Sequence, residues 1–200
     1  MPIPTIDAAI WSRNISARKD ERVAAHARIA GPAAPAAVSG AARQQLVDAV
    51  GQALYASKVA SYAQGLAMLR AASDEHGYGL DLIELARIWK GGCIIRAQLL
   101  GRIQDAYRRD PQLQNLLLDP YFSGVIGSHH AAWRQVVSTA AAAGIPVPAT
   151  AASLAYVDAY RCARLPANLL QGLRDFFGAH TYERTDKEGA FHTQWEAPHA

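Results

Sequence analysis

Three cationic side chains are the best candidates for chemistry in this sequence, and two of them lie close together near its carboxyl end. Arg174 falls in the last turn of a predicted helix that ends at Gly178, which we predict to be its left-handed C-cap, and His180 follows two residues later. A guanidinium beside an imidazole, with aromatic residues around them, suits a phosphate or a carboxylate. The alternative is a basic helix end that complements the helix dipole, with His180 as an ordinary capping or core histidine. Spacing alone leaves both interpretations open.

The third candidate, Arg13, lies on the first predicted helix, within residues 3–31, for which Thr5 is the predicted N-cap. Helical spacing places four residues on one face: Ile6, Ala9, Ile10 and Arg13. That face should be buried, and a buried arginine needs an anionic partner, either a ligand or a carboxylate. Alternatively, the apolar stripe ends at Arg13, and its side chain reaches water along its aliphatic stem.

Other motifs give little support for catalysis or metal binding. His129 and His130 are adjacent, so their rings diverge on a helix, whereas helical metal ligands need i and i+4 spacing. Gly91-Gly92 lacks the context of a phosphate-binding glycine loop and predicts a tight junction between helices. The sequence contains no GxSxG motif. We therefore predict no metal site and find no local signature of a nucleophile.

Composition is that of a globular protein, with 50% hydrophobic and 18% charged residues among 200. The net charge of +3 comes from scattered basic residues, so a nucleic-acid partner is not predicted. Cys93 and Cys162 lie far apart, which favours two reduced thiols over a disulfide. No uninterrupted apolar stretch reaches the roughly 18 residues of a membrane span, and no leader is evident. These features predict a cytoplasmic protein without membrane contact.

Helical periodicity runs through almost the whole chain. The longest periodic stretch, from about Ala42 to His76, is apolar or small on most sides and predicts a buried central helix. Further helices are predicted over 81–90, 93–109, 120–143, 149–163 and 165–178. No stretch alternates with period two, so no substantial sheet is expected. The predicted fold is all-α, with about seven helices in a domain spanning 1–178 and an extended tail over 179–200.

Several blocks of sequence resemble, in order, the carboxyl-terminal part of the decarboxylating 6-phosphogluconate dehydrogenases. They are KDERVAA (19–25), ALYASKVASYAQGLAMLR (53–70), IWKGGCIIR (88–96), LQNLLLDPYF (113–122), WRQVVSTAAAAGIPVP (133–148), LPANLLQGLRDFFGAHTYER (165–184) and FHTQW (191–195). The resemblance implies an enzyme of the pentose phosphate pathway that oxidises and decarboxylates 6-phospho-D-gluconate with NADP, giving ribulose 5-phosphate. It also implies a homodimer in which the tail of one subunit reaches the active site of the other.

Carried over by position, the resemblance makes Arg13 a ligand of the substrate phosphate, and Arg174 and His180 the contribution of the tail to the same substrate. The family's dinucleotide-binding domain, with its NADP site, and its catalytic lysine and glutamate have no counterpart in these 200 residues. We therefore expect no cofactor site, no catalytic residue and no turnover in this chain alone. We also expect an exposed apolar patch where the family's preceding helices would pack.

Three hypotheses follow for the function. In the first, a partner chain supplies the amino-terminal half of a dehydrogenase. In the second, the chain is a dimer-forming remnant without enzymatic activity. In the third, it is a weak sugar-phosphate binder.

Overall fold

The computed structural model describes residues 1–33, 35, 37–91 and 98–195, and in this part the chain is almost entirely helical. The helices are α1 (Pro4–Ser16), α2 (Lys19–His26), α3 (Gly40–His76), α4 (Leu82–Ile88), α5 (Leu99–Arg109), α6 (Pro120–Ala142), α7 (Pro148–Tyr160) and α8 (Asn168–Gly178). A 3-10 turn, Leu116–Leu118, precedes α6. The all-α prediction is confirmed, with eight helices where about seven were expected.

The only strands in the described residues form one short antiparallel hairpin in the tail. Strand β1 (Tyr182–Glu183) pairs with β2 (Ala190–Phe191), and Tyr182 lies opposite Phe191. No helix in the described part is long and apolar enough to cross a membrane. The helix junction predicted at Gly91-Gly92 and the helix start predicted at Cys93 are not fully covered, because Gly92 and Cys93 lie outside the described residues.

The chain divides into two compact units, Met1–Asp158 and Ala159–Ala200. The first contains α1 to α6 and most of α7, and its core lies around α3. The second contains α8 and the hairpin. The division into a domain over 1–178 and a tail over 179–200 stays a prediction.

Small residues on α3 explain why this helix can lie at the centre of the first unit. Ala56, Ala60 and Ala63 have no exposed surface, so their short side chains let neighbouring helices come close. On one side α6 packs against α3 and buries Trp133 completely. On another, α4 and α5 contribute leucine and isoleucine side chains to a second cluster. The predicted burial of the central helix is therefore correct for about residues 56–73.

The amino-terminal part of α3 differs from the prediction because its apolar residues remain exposed. Leu54 is 65% exposed, and Val47 and Val50 are about half exposed. An apolar periodicity shows which residues favour burial, but no described element of the first unit covers this part of the helix. These exposed apolar side chains lie on α3, and a patch left for the family's preceding helices stays a prediction.

Glycines end two helices at the predicted positions. Gly77 adopts a left-handed conformation (φ 67°) after α3, and Gly144 does the same (φ 68°) just after α6. A Cβ atom at Gly144 would also lie 2.6 Å from Cγ of Pro32, so space as well as φ requires glycine there. The helix start predicted at Asp81 is confirmed, since its carboxylate accepts hydrogen bonds from the N–H groups of Ile83 (2.8 Å) and Glu84 (3.2 Å).

The predicted organisation of residues 3–31 is wrong in two respects. The helix breaks at Ala17 and Arg18, giving α1 and α2, and the N-cap of α1 is Ile3. Thr5 is instead buried inside the first turn, where the amide of Gln64 and the hydroxyl of Ser153 bond to it. These polar partners, which no local pattern reveals, draw a polar face of α1 inward.

Candidate anion-binding site

The carboxyl end of α8 forms the turn that carries two of the predicted site residues. The N–H of Ala179 bonds to the carbonyls of Arg174 and Asp175, and the N–H of His180 lies 3.5 Å from the Arg174 carbonyl. Arg174 and His180 are thereby brought onto one turn. The helix starts at Asn168, three residues later than the predicted start at 165, so that detail of the prediction is wrong.

Gly178 is not the left-handed cap that its position suggested. The left-handed residue is Ala179 (φ 49°), and Gly178 is the last residue of the helix. A Cβ atom at Gly178 would lie 3.0 Å from Cδ2 and 3.1 Å from Nε2 of His180. The absence of a side chain therefore gives the imidazole room to lie directly against the helix end.

The side chains of Arg174 and His180 are exposed and face no competing acid. Among the described residues, neither forms a side-chain hydrogen bond or an ion pair. An exposed guanidinium and imidazole on one turn can bind an anion without first breaking an internal salt bridge. Their predicted role as ligands stays a prediction.

Asp175 lies beneath this turn and is the one buried residue of α8. Its carboxylate accepts hydrogen bonds from four groups: the N–H of Thr181 (3.1 Å), Nδ1 of His192 (2.8 Å), the N–H of Thr193 (2.9 Å) and Nε1 of Trp195 (3.0 Å). Because an ionised carboxylate only accepts, His192 carries a proton on Nδ1 here.

Burial alone would raise the pKa of Asp175, but the bonds from Thr193, His192 and Trp195 stabilise its ionised form and lower the pKa to about 2. Asp175 has no exposed surface. Because the second unit is small, its carboxylate nevertheless lies close beneath the surface of that unit. Asp175 was not among the site residues predicted from the sequence. The only sequence feature that marks Asp175 is an acidic residue within an otherwise apolar and basic helix, and acidic residues at such positions are usually exposed to solvent.

Arg13 lies in the last turn of α1, in the first compact unit, and its side chain is exposed. The predicted buried face is wrong, because α1 buries Thr5 and Ala8, whereas Ile10 is 54% exposed. Arg13 makes no ion pair with a described residue, so its guanidinium is free to meet a ligand. Its role as a phosphate ligand stays a prediction.

In the histidine pair on α6, the ring of His129 lies against its own helix. Its Nδ1 is 2.9 Å from the carbonyl of Val125, one turn earlier, and 2.8 Å from the hydroxyl of Ser128. Within the described ranges, no three His, Cys, Asp or Glu side chains come together as metal ligands.

Comparison with known proteins gives a consistent result along the chain. Residues 1–195 match the family model described as 6-phosphogluconate dehydrogenase, C-terminal domain. The NADP(+)-dependent, decarboxylating 6-phosphogluconate dehydrogenase of Bacillus subtilis is 51% identical over 195 residues, which are 98% of this chain and 41% of that protein. The decarboxylating enzyme of Synechococcus elongatus is 56% identical over 193 residues, 96% of this chain and 41% of that protein.

A solved structure of Plasmodium falciparum 6-phosphogluconate dehydrogenase, studied in apo form and in complexes with NADP+ and with 6-phosphogluconate, has a similar fold. The TM-score is 0.87 at 42% identity, over 97% of this chain and 41% of that one. The chain thus spans about two fifths of the length of the relatives it matches.

Proposed function

The chain belongs to the 6-phosphogluconate dehydrogenase family, and we propose that it supplies the substrate-phosphate contacts and the helical subunit interface of an NADP-dependent enzyme. That enzyme oxidatively decarboxylates 6-phospho-D-gluconate to ribulose 5-phosphate, in the cytoplasmic pentose phosphate pathway. The observation that carries the proposal is the turn after α8, on which Arg174 and His180 both lie exposed and, among the described residues, without an acidic partner.

The proposed ligands suit a sugar phosphate in charge and in hydrogen-bonding capacity. A phosphate ester carries about −1.5 to −2 charges at neutral pH, which the guanidiniums of Arg13 and Arg174 balance. Each guanidinium can donate two parallel N–H bonds to phosphate oxygens, and His180 adds one donor. Hydrogen bonds to charged groups contribute about 1.5–3 kcal/mol each, so losing one ligand should weaken binding clearly.

A homodimer is part of the proposal, and the surface of the second unit supports it. Two apolar side chains of α8, Leu169 and Phe177, are about 80% exposed. Apolar surface of this kind on a short helix is stabilised by burial against a partner. The occupant we propose is a second copy of the chain.

NADP would supply the hydride acceptor in the complete enzyme. Within the described residues, no strand leads into a glycine-rich turn and a helix, which is the arrangement that holds a dinucleotide pyrophosphate. We therefore assign no step through NADP to this chain and no catalytic residue to its described part. The reaction also needs a general base and a general acid, and we assign neither to the described residues.

Complementation tests this function. The chain is mixed with the part of the Bacillus subtilis relative that it does not cover, and NADPH formation from 6-phosphogluconate is followed by absorbance. We expect activity from the mixture, and a strong loss with Arg174→Ala. The matched control is Arg184→Ala, which removes an exposed arginine of the same tail that pairs with Asp186.

The control variant should retain the activity of the unmodified chain. If the mixture stays inactive and calorimetry detects no binding of 6-phosphogluconate to the chain, the proposed function is wrong. Binding without activity would instead favour a sugar-phosphate binder.

A further inference from the structure

The most densely bonded side chain of the second unit is not one of the proposed ligands. Asp175 receives four hydrogen bonds, and all of the donors come from the tail after α8. Thr181 directly precedes β1, whereas His192 directly follows β2. One carboxylate therefore joins both ends of the hairpin to the end of the helix.

The turn between α8 and β1 needs such a restraint because its backbone is strained. Ala179 (φ 49°) and Thr181 (φ 61°) both have positive φ, and neither is glycine. This conformation is unfavourable for a β-branched residue such as threonine. Strained residues persist only where surrounding contacts determine them, and the N–H of Thr181 is fixed by the Asp175 carboxylate. His180 lies between these two residues.

Additional contacts hold the tail against the same side of the helix. The ring of Trp195 packs edge-to-face on Phe176, with centroids 5.7 Å apart. The hydroxyls of Tyr182 and Thr193 lie 2.7 Å apart and join the two sides of the hairpin. Packing thus supports the position of the tail, but among the described residues only the Asp175 carboxylate contacts its turn, its hairpin end and Trp195 together.

We propose that Asp175 is a positioning residue, whose carboxylate holds the turn after α8 in one conformation and so presents Arg174 and His180 as a preorganised pair of anion ligands. The assignment of these two ligands rests on the proposed function. The positioning itself does not, because it is a property of the free chain. Preorganisation improves affinity by reducing the conformational freedom that is lost on binding.

The first test measures the turn without any ligand. In the full 200-residue chain, the indole N–H resonance of Trp195 and the intraresidue amide-to-Hα NOE of Thr181 report the hydrogen bond and the positive φ. We expect Asp175→Asn to shift the indole signal and weaken the NOE, while the Trp133 signal, from the first unit, is unchanged and shows that the protein is folded. Asp186→Asn, an exposed acid of the same tail, is the control and should change neither signal.

A graded variant separates the hydrogen bond of the His192 side chain from the rest of its ring. In His192→Asn, the side-chain amide places a neutral donor where Nδ1 lay, so the turn should be largely retained, whereas His192→Ala should loosen it. If Asp175→Asn leaves the Trp195 and Thr181 signals as they are in the unmodified chain, the positioning role is wrong.

The second test uses affinity for 6-phosphogluconate in a double-mutant cycle. If Asp175 acts through the ligands, Asp175→Asn should weaken binding by about tenfold or more in the unmodified chain and by far less in an Arg174→Ala, His180→Ala background. Equal effects in both backgrounds would refute action through these ligands. If the unmodified chain binds no 6-phosphogluconate, the proposed function fails, and the first test still decides whether Asp175 positions the turn.

Discussion

Replacing Gly178 with alanine should weaken binding of 6-phosphogluconate while leaving the helix intact. The new Cβ atom would lie 3.0 Å from Cδ2 and 3.1 Å from Nε2 of His180, where ordinary van der Waals contact starts at about 3.4 Å. The imidazole must therefore move by a few tenths of an ångström or turn to another rotamer. Hydrogen bonds tolerate little displacement, so we expect His180 to lose its bond to the anion.

The size of the effect follows from the value of one charge-assisted hydrogen bond. A loss of about 1.5–3 kcal/mol corresponds to about a tenfold to 150-fold increase in Kd. Stability should not fall in parallel, because alanine is favoured over glycine within a helix by about 0.5–1 kcal/mol, and part of this gain offsets the displaced ring.

A matched control is present on the same helix. A Cβ atom at Gly172 would have its nearest neighbour, Cη2 of Trp195, at 4.0 Å, which is an ordinary contact. Gly172→Ala should therefore keep the affinity of the unmodified chain and raise its melting temperature slightly. Calorimetric titration gives Kd for both variants, and thermal unfolding by circular dichroism gives their stability.

Unchanged affinity in Gly178→Ala would mean that the His180 ring does not contact the ligand from its position against the helix end. Equal weakening in Gly172→Ala would show that any added methyl group on α8 disturbs binding, so the close approach of the His180 ring to position 178 would not be the cause.

Three further predictions concern stability. The pKa of Asp175, about 2, lies below its usual value of 3.8, so the hydrogen bonds to its carboxylate stabilise the tail above a pH of about 4. This stabilisation is lost as the pH falls through about 2. Acid titration of the Trp195 indole resonance should show the transition, and Asp175→Asn should abolish it. Thr5→Val leaves the buried amide nitrogen of Gln64 without its acceptor and removes the contact to the Ser153 hydroxyl, which keeps its bond to the carbonyl of Ala149. The variant should cost about 1–3 kcal/mol in urea unfolding, whereas Thr5→Ser should cost much less. Asp81→Ala removes the N-cap of α4 and should lower the unfolding free energy by about 0.5–2 kcal/mol, with Asp81→Asn close to the unmodified chain.

The sequence predicted the helices well because their apolar period and their glycine stops are local signals. Gly77 and Gly144 end α3 and α6 by the left-handed conformation that glycine permits. The same rule failed at Gly178, where two reasons for glycine compete: a left-handed φ, or the close approach of another group. The sequence does not distinguish them, because the ring that approaches Gly178 is positioned by tertiary contacts of the tail.

Partners distant in the sequence account for the other failures. Thr5 resembles an N-cap locally, but a residue 59 positions away, Gln64, binds it inside the core. Asp175 resembles a solvated acid, but donors up to 20 residues later in the chain surround it. A polar residue takes its role from whichever partner reaches it, and periodicity contains no information about such partners.

The exposed apolar faces show that a sequence pattern does not identify the surface that covers them, and the identity of that surface bears on function. Helical period marks Leu54 and Leu169 as residues that favour burial, yet they are 65% and 78% exposed. The pattern is the same whether the covering surface belongs to this chain, to a second copy or to a separate polypeptide. The comparisons favour a covering surface from the part of the relatives that this chain does not match, because the relatives are more than twice as long as the matched region. On α3, the face around Leu54 is therefore the one that a complementing polypeptide should protect, and hydrogen exchange before and after mixing would show whether it does.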